Sequence, residues 1–460
     1  MERCFILEVK IMKYDVIVIG GGPAGMISAI TARNYYPEKK ILLIKSIGNS
    51  VIPCGIPYMF ATLKKPEDNA MGNEPLEKNG IELKVDEVTN IDREKKKIET
   101  KNNEIFEYEK LILATGSDPI MPPLDGIEKK GVYPIIKEMD HLKNLKTDIQ
   151  KARDIVIIGG GFIGIEFADE LSQLENKKIT VVEFMPNILA NSFDEEFSCL
   201  AKDLIIKKGI NLITGKKVVK FNGEDRVESV SISDNTDIPC QVVILGIGAS
   251  PNTELAIKAG LNIGKSKAIL VDEYLRTDSD IDIFAVGDCA EKKDFFTRKK
   301  IPIMLASTAT AEARIAGSNL FKIKVVRENK GTIATYSTKI GNLTLGSAGL
   351  TEQTAIKEGF EIIVGSSDCV DKHPGIMIGA NKLKLKLIFS KQSGLLLGGQ
   401  VAGGESAGEI VNIIGLALQK NTSLTELETL QVATHPKLTA APTIYPLFIA
   451  AQDALSKYKE

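Results

Sequence analysis

Two stretches of the chain carry the same pattern of apolar and polar positions. "YDVIVIGGGPAGMISAITA" (14–32) and "RDIVIIGGGFIGIEFADEL" (153–171) each set a short β-branched run before a glycine cluster. Apolar positions at helical spacing follow. A short apolar run bounded by glycine reads as a buried strand, and the longer period reads as an amphipathic helix. A further apolar run comes after each helix, "KKILLIK" at 39–45 and "KKITVVEF" at 177–184. The pattern therefore predicts a duplicated strand–turn–helix–strand unit, the opening of a doubly wound α/β domain. More strands are expected at 110–119, 240–252 and 282–291, each ending in a glycine turn. "DGIEKKGVYPI" and "LKNLKTDIQKARD" read as polar linkers around the start of the second unit.

Beyond Lys330 the pattern changes. "TIATYSTKIGNLTLGSAGL", "FEIIVGSS" and "LKLKLIFSKQSGLLLGGQVAG" are strand-rich, with a hairpin signal at "KQSG". "GEIVNIIGLALQK" and "YPLFIAAQDALSK" then read as helices. Strands followed by helices predict a separate α+β domain. The expected fold is thus α/β, with two Rossmann-like domains and a third, α+β, domain. Its expected limits are 12–120 with 250–328 for the first, 121–249 for the second and 329–460 for the third. Residues 1–11 read as an extension, or a start placed too early, because "MKYDVIVIGGG" opens a natural strand at Met12.

The glycine clusters bring in chemistry. Gly20, Gly22 and Gly25 form G-x-G-x-x-G between a strand and a helix, as do Gly159, Gly161 and Gly164. In such a turn the first glycine makes the bend, the second admits a pyrophosphate and the third lets helix and strand approach. Helix N-terminal N–H groups then face the phosphates. Glu183 ends the strand after the second turn, where an acid accepts hydrogen bonds from a ribose and repels a 2′-phosphate. That favours NADH over NADPH, unless Glu183 is only a solvated strand-end charge. The first unit departs from the rule, with Lys45 or Ser46 where the acid is expected.

The net charge of −2 gives no electrostatic case for nucleic acid or an anionic membrane. No apolar run approaches the ~20 residues of a membrane helix, and the first residues lack a signal-peptide cleavage site. The six cysteines, Cys4, Cys54, Cys199, Cys240, Cys289 and Cys369, contain no C-x-x-C pair. A reducing, cytoplasmic setting is expected.

Cys54 lies in "SVIPCGIPY", between Pro53 and Pro57, and its nearest cysteine in sequence is Cys4. The order of glycine turn, lone cysteine, "ATG", second glycine turn, "GIGASPN" and "VGDCAE" resembles the pyridine nucleotide–disulfide oxidoreductases. "SVIPCGIPY" resembles their single-cysteine branch of coenzyme A-disulfide reductases, NADH oxidases, peroxidases and NAD(P)H sulfur reductases. The resemblance spans about residues 12–455. It implies FAD in the first unit, NAD(P)H in the second and a homodimer through the third.

Carried onto this chain, the resemblance places Thr115, Gly116, Gly287 and Asp288 around FAD. It places Gly246 and Gly248 at the NAD site, with Glu166 near nicotinamide and flavin. Phe162 matches an aromatic that covers the flavin until nicotinamide displaces it, although core packing explains it equally well. Cys54 becomes the redox sulfur. Relatives with C-x-x-x-x-C keep both sulfurs in one chain; here the second must come from an acceptor or be absent. The expected acceptor is a disulfide, persulfide or polysulfide such as coenzyme A disulfide, with coenzyme A itself a candidate ligand. The alternatives are oxygen, giving an NADH oxidase that makes hydrogen peroxide or water, and a redox flavoprotein with a protein partner. Oxidases and peroxidases of the branch usually carry a histidine in the first glycine turn, where this chain has Pro23.

Near the C-terminus, "THPKLTAAPTIY" keeps the His-Pro and Thr of dithiol relatives but has Ala440 in place of their glutamate. His435, reaching across the dimer, is the expected general acid, and Tyr445 a weaker candidate. His373 reads as a turn residue and His141 as solvated. Arg33 and Lys45 could meet a coenzyme A phosphate, but solvated surface charges are the better reading.

Overall fold

The computed structural model describes residues 11–326 and 329–458. Residues 1–10 therefore lie outside the described residues. The first strand, β1 (Ile11–Ile19), starts one residue before the expected Met12. Val16, Ile17 and Val18 are fully buried, as a central parallel strand covered on both faces requires.

β1 leads through the first glycine turn into helix α1 (Pro23–Tyr35) and then β2 (Ile41–Lys45). The first sheet runs Glu82–Val85, β2, β1 and β3 (Ile105–Leu113), all parallel. The free edge of β3 is divided. Its first residues pair antiparallel with Lys97–Thr100, and its last three pair parallel with a strand from far downstream, Ile283–Ala285.

The second sheet repeats the plan. Helix α2 (Met139–Lys151) leads into β4 (Asp154–Ile158), the second glycine turn, helix α3 (Phe162–Leu171) and β5 (Lys178–Glu183). The strand order is Asn211–Thr214, β5, β4, β6 (Val242–Leu245) and Val132–Pro134, all parallel. A two-stranded ribbon, Ser117–Pro119 with Ala249–Pro251, joins the segments that enter and leave this unit.

The third sheet is antiparallel, in the order Tyr336–Ile340, Leu343–Gly349, Leu396–Gly403, Lys382–Ser390, Ile362–Val370. Helices Ala407–Gln419 and Pro446–Tyr458 pack on it. The hairpin closes at Gly394, whose φ of +69° suits glycine in that turn.

Two expectations need correction. The segment 142–154 is mostly helix α2, not linker. Met139, Leu142, Leu145 and Ile149 are buried along one stripe, a helical period that the polar residues between them conceal. The segment 125–135 contributes Val132–Pro134 as the edge strand of the second sheet.

The segment that carries Cys54 does not pack chiefly on its own sheet. Val51, Ile56, Met59 and Phe60 join one apolar core with Leu142 of α2 and Phe167 of α3. Ile340 and Leu345 of the third sheet belong to the same core. The cysteine segment therefore sits at the meeting of all three units.

The two turns also make a stability prediction. A Cβ on Gly25 would come 1.9 Å from Gly20 O, whereas one on Gly22 would meet nothing within 4 Å. Gly25→Ala is expected to destabilise the fold by about 3 kcal/mol, at the upper end of overpacking costs, and Gly22→Ala to leave it nearly unchanged. Denaturant unfolding followed by tyrosine fluorescence, usable because the chain has no tryptophan, checks the contrast.

Candidate redox site

The two glycine turns match in detail. Gly20 and Gly159 have φ of +117° and +105°. A Cβ on Gly20 would strike Ala114 O at 2.1 Å, and one on Gly159 would strike Gly246 O at 2.4 Å. Gly164 meets Gly159 O as closely as Gly25 meets Gly20 O, while Gly22 and Gly161 face open space. Each turn is thus tight below and open above. A dinucleotide pyrophosphate needs that shape, so these residues fit one at each helix N-terminus.

The strand-end side chains differ in sign. Glu183 accepts the Gly160 and Met185 N–H groups, both at 2.5 Å. Its carboxylate is held against the second turn. At the matching place in the first unit the Lys45 side chain lies against Gly21. Its Nζ donates to Gly48 O and Asn73 Oδ1, both at 2.9 Å. Lys45 is 5% exposed, and burial lowers its pKa. It is not a solvated charge, which corrects the expectation. Arg33 is not free either: it donates to the carbonyls of Pro37, Lys39, Asn79 and Gly80.

The remaining first-unit residues converge near Asp288. Thr115 Oγ1 donates to Asn252 O at 2.6 Å, and Asn252 N–H returns to Gly116 O at 2.9 Å. Gly116 and Gly248 have φ of +71° and +100°. Asp288 Oδ2 accepts from Ser117 Oγ at 2.7 Å and lies 3.6 Å from Lys137 Nζ. A cavity of about 440 Å³ opens here, bordered by Asp288, Lys292, Ile301 and Met304.

Beneath Asp288 lies a buried ion pair that the sequence reading missed. Lys292 Nζ is 2.9 Å from Glu312 Oε2, and both side chains are under 5% exposed. Glu312 accepts the Gly287 N–H at 2.9 Å, and Lys292 donates to Gly287 O and Ala290 O. The pair fixes the turn that presents Asp288. Its signal was an acid inside the small-residue stripe Ala309, Ala313, Ala316.

Cys54 sits in a 3-10 turn, Pro53–Gly55, and is a free, exposed cysteine. Although its residue surface is exposed, partial enclosure raises the thiol pKa, with a further push from Glu166 and a smaller one from Asp288. Lys137 pulls the other way. The structure thus brings Glu166 and Asp288 within electrostatic reach of Cys54 and adds Lys137, for which no local motif gives a signal. Burial pushes the Glu166 carboxyl up to about 7, against a hydrogen bond from Thr338 Oγ1 at 2.8 Å. Phe162, at the start of α3, stacks on Tyr336 with centroids 5.1 Å apart and planes at 19°. Tyr336 and Thr338 both belong to the first strand of the third sheet, so that sheet packs on α3 at Phe162 and Glu166.

His435 is exposed on a loop closed by its own bonds, with its N–H to Thr439 Oγ1 at 3.0 Å. Among the described residues no hydrogen bond links it to Cys54. His373, read as a simple turn residue, docks on this loop: its N–H donates to Pro436 O at 3.1 Å and Nδ1 lies 3.0 Å from Thr439 O. Both histidines precede proline, a repetition that could have drawn them together. Tyr445 is buried at 6% exposure in the core of its own unit, which removes it from any open cleft. His141 is half-buried and its Nε2 lies 2.8 Å from Pro134 O, so it is not simply solvated.

Comparison with known proteins gives these features a family. Residues 14–313 match the model for pyridine nucleotide-disulphide oxidoreductases, and 335–444 match the dimerisation domain of the same enzymes. An NADH oxidase of Methanocaldococcus jannaschii is 31% identical, over 96% of this chain and 98% of its own. An NAD(P)H coenzyme A polysulfide/persulfide reductase of Pyrococcus horikoshii is 32% identical, over 86% and 88%. A solved NAD-dependent persulfide reductase from A. fulgidus superposes with a TM-score of 0.88 at 30% identity, over 97% of this chain and 84% of its own. With two matched nucleotide turns, a free cysteine at their junction and family models covering most of its length, the chain belongs to the pyridine nucleotide-disulphide oxidoreductases and is an FAD- and NAD(P)H-dependent enzyme.

Proposed function

We propose that the protein reduces a disulfide, persulfide or polysulfide with electrons from NAD(P)H, using Cys54 as its one redox sulfur. The observation that carries this reading is a free Cys54 at the seam of three units, within electrostatic reach of Glu166 and Asp288, with no disulfide among the described cysteines. The P. horikoshii and A. fulgidus relatives, both named as persulfide reductases, support it. Coenzyme A disulfide is the acceptor we favour for a first assay.

Gly20, Gly22, Gly25, Thr115, Gly116, Gly287 and Asp288 would hold FAD. Gly159, Gly161, Gly164, Glu166, Glu183, Gly246 and Gly248 would hold NADH, with Glu183 disfavouring NADPH. FAD, when bound, relays an electron pair between nicotinamide and sulfur. The chain's own part begins with the Cys54 thiolate, which attacks one acceptor sulfur. A mixed disulfide forms on Cys54, and the departing thiolate takes a proton. Two electrons originating in NAD(P)H then restore Cys54 and release the second thiol. The net change is one disulfide, one NAD(P)H and one proton converted to two thiols and NAD(P)⁺.

We assign the leaving-group proton to His435 of the partner subunit. The homodimer reading is supported by the match to a dimerisation domain. It is also supported by Ile376, Ile378 and Leu438, each more than two-thirds exposed near His435 and His373. The proposed units are 12–120 with 250–328, 121–249 and 329–460, in a cytoplasmic enzyme. The oxidase reading keeps the support of several relatives named as NADH oxidases, the M. jannaschii protein among them.

Three outcomes test the assignment. Cys54→Ser should keep its flavin and lose sulfur-acceptor turnover at least about a thousandfold, as loss of a nucleophile does. Anaerobic NADH consumption with coenzyme A disulfide or polysulfide checks this. Equal loss of oxygen turnover to water would favour the oxidase instead. Glu166 ionises as pH rises through about 7, and its charge then opposes the Cys54 thiolate. Glu166→Gln should therefore move the pH midpoint of Cys54 alkylation by iodoacetamide downward. Glu183→Ala should reduce the NADH preference in kcat/KM by about tenfold or more, as loss of a discriminating polar contact does.

A further inference from the structure

We propose that Glu170 is a positioning residue, clamping the Cys54 segment onto the helix that carries the second nucleotide turn. This rests on the reading of Cys54 as the redox sulfur and adds what holds that sulfur in place. Glu170 stands near the end of α3 and is 3% exposed. Its Oε2 accepts the Thr62 N–H at 2.8 Å, and its Oε1 accepts the Thr62 hydroxyl, also at 2.8 Å. Gln173 Nε2 adds a bond at 3.1 Å. A carboxylate accepting on both oxygens makes strong, directional bonds. It grips backbone and side chain of one residue at once.

Little slack separates Thr62 from Cys54. The intervening chain is two 3-10 turns, Pro53–Gly55 and Pro57–Met59, each begun by a proline. Leu63 N–H closes on Tyr58 O at 2.8 Å, and Lys146 of α2 donates to Met59 O at 2.6 Å. Phe60 packs on Phe167 with centroids 5.0 Å apart. On the other side of the cysteine, Asn69 Nδ2 donates to Ile52 O at 3.0 Å.

The placement of Glu170 gives the clamp a purpose beyond rigidity. Glu166 lies four residues earlier, on the same face of α3. Glu166 is the strongest charged influence on the Cys54 thiol, with Asp288, Lys137 and Tyr58 the other titratable groups around it, and Asp169 and Glu170 act on Glu166 in turn. One helix thus holds both the cysteine segment and the carboxylate that sets its charge environment. The clamp fixes the separation between the two.

Glutamine at this position keeps one acceptor oxygen for the Thr62 N–H but replaces charge-assisted bonds with weaker neutral ones, and its amide can only donate to the Thr62 hydroxyl. Glu170→Gln therefore weakens the grip without removing bulk. In the flavin-loaded, full-length enzyme, Glu170→Gln should lower kcat with coenzyme A disulfide or polysulfide by about ten- to a hundredfold, as small misplacements of reacting groups do. The KM for NADH should stay unchanged. The decisive readout is a double-mutant comparison. The alkylation shift caused by Glu166→Gln should shrink in the Thr62→Val background, which leaves the Glu170 charge that acts on Glu166 in place, because coupled groups are non-additive. A purely structural role leaves that shift intact.

Thr62→Val provides a second route if Glu170→Gln fails to fold. It alters an exposed residue, removes only the hydroxyl donor, and should lower kcat in the same direction. Unchanged kcat in the folded clamp variants, or a fully additive shift, overturns the clamp. Sulfur-acceptor turnover retained by Cys54→Ser overturns the underlying reading instead. Loss in Cys54→Ser beside unaffected clamp variants defeats the clamp alone.

Discussion

The docking of the Cys54 segment against α2 and α3 is the contact on which the rest of the site depends. By sequence this segment belongs to the first nucleotide unit. By packing it belongs to the second, through Phe60 on Phe167 and the apolar side chains around them. A cysteine on a loop of its own sheet would be free to move relative to the second turn. Here it is fixed against the helix that begins at the second turn. The third sheet completes the arrangement by touching α3 at Phe162 and Glu166.

The duplicated turns show how one backbone solution accepts opposite chemistry. Backbone shape is shared almost contact for contact, because close approach leaves glycine no substitute at Gly25 and Gly164. The strand-end side chain is not so constrained. Glu183 satisfies backbone N–H groups at one turn, while Lys45 satisfies a carbonyl and an amide oxygen at the other. A buried lysine without acceptors would be costly; Gly48 and Asn73 remove that cost. The first unit therefore departs from the acid rule by exchanging one satisfied polar group for another.

What was legible in the sequence follows physical locality. Strands buried on both faces and turns demanding glycine announce themselves in a few consecutive residues, so both nucleotide units and the third sheet could be read directly. Helix α2 was misread because its buried stripe is only four residues deep in a charged segment. Lys137 and Glu170 escaped for another reason. Their partners lie far along the chain, and each would be an ordinary surface charge without them. Arg33 and Lys45 were misread in the same way: a basic side chain shows its charge in sequence, but not the carbonyls that enclose it.

The divided edge of β3 has a consequence for how the polypeptide is made. Residues Leu111–Leu113 find their neighbours at Ile283–Ala285, and every strand of the second sheet lies between these two stretches. During synthesis the second sheet can close as soon as its own contiguous strands leave the ribosome. The first sheet stays open along one flank until residue 285 emerges. The older half of the enzyme is therefore finished after the younger one, and any chain truncated between them carries an exposed strand edge of the kind that invites association.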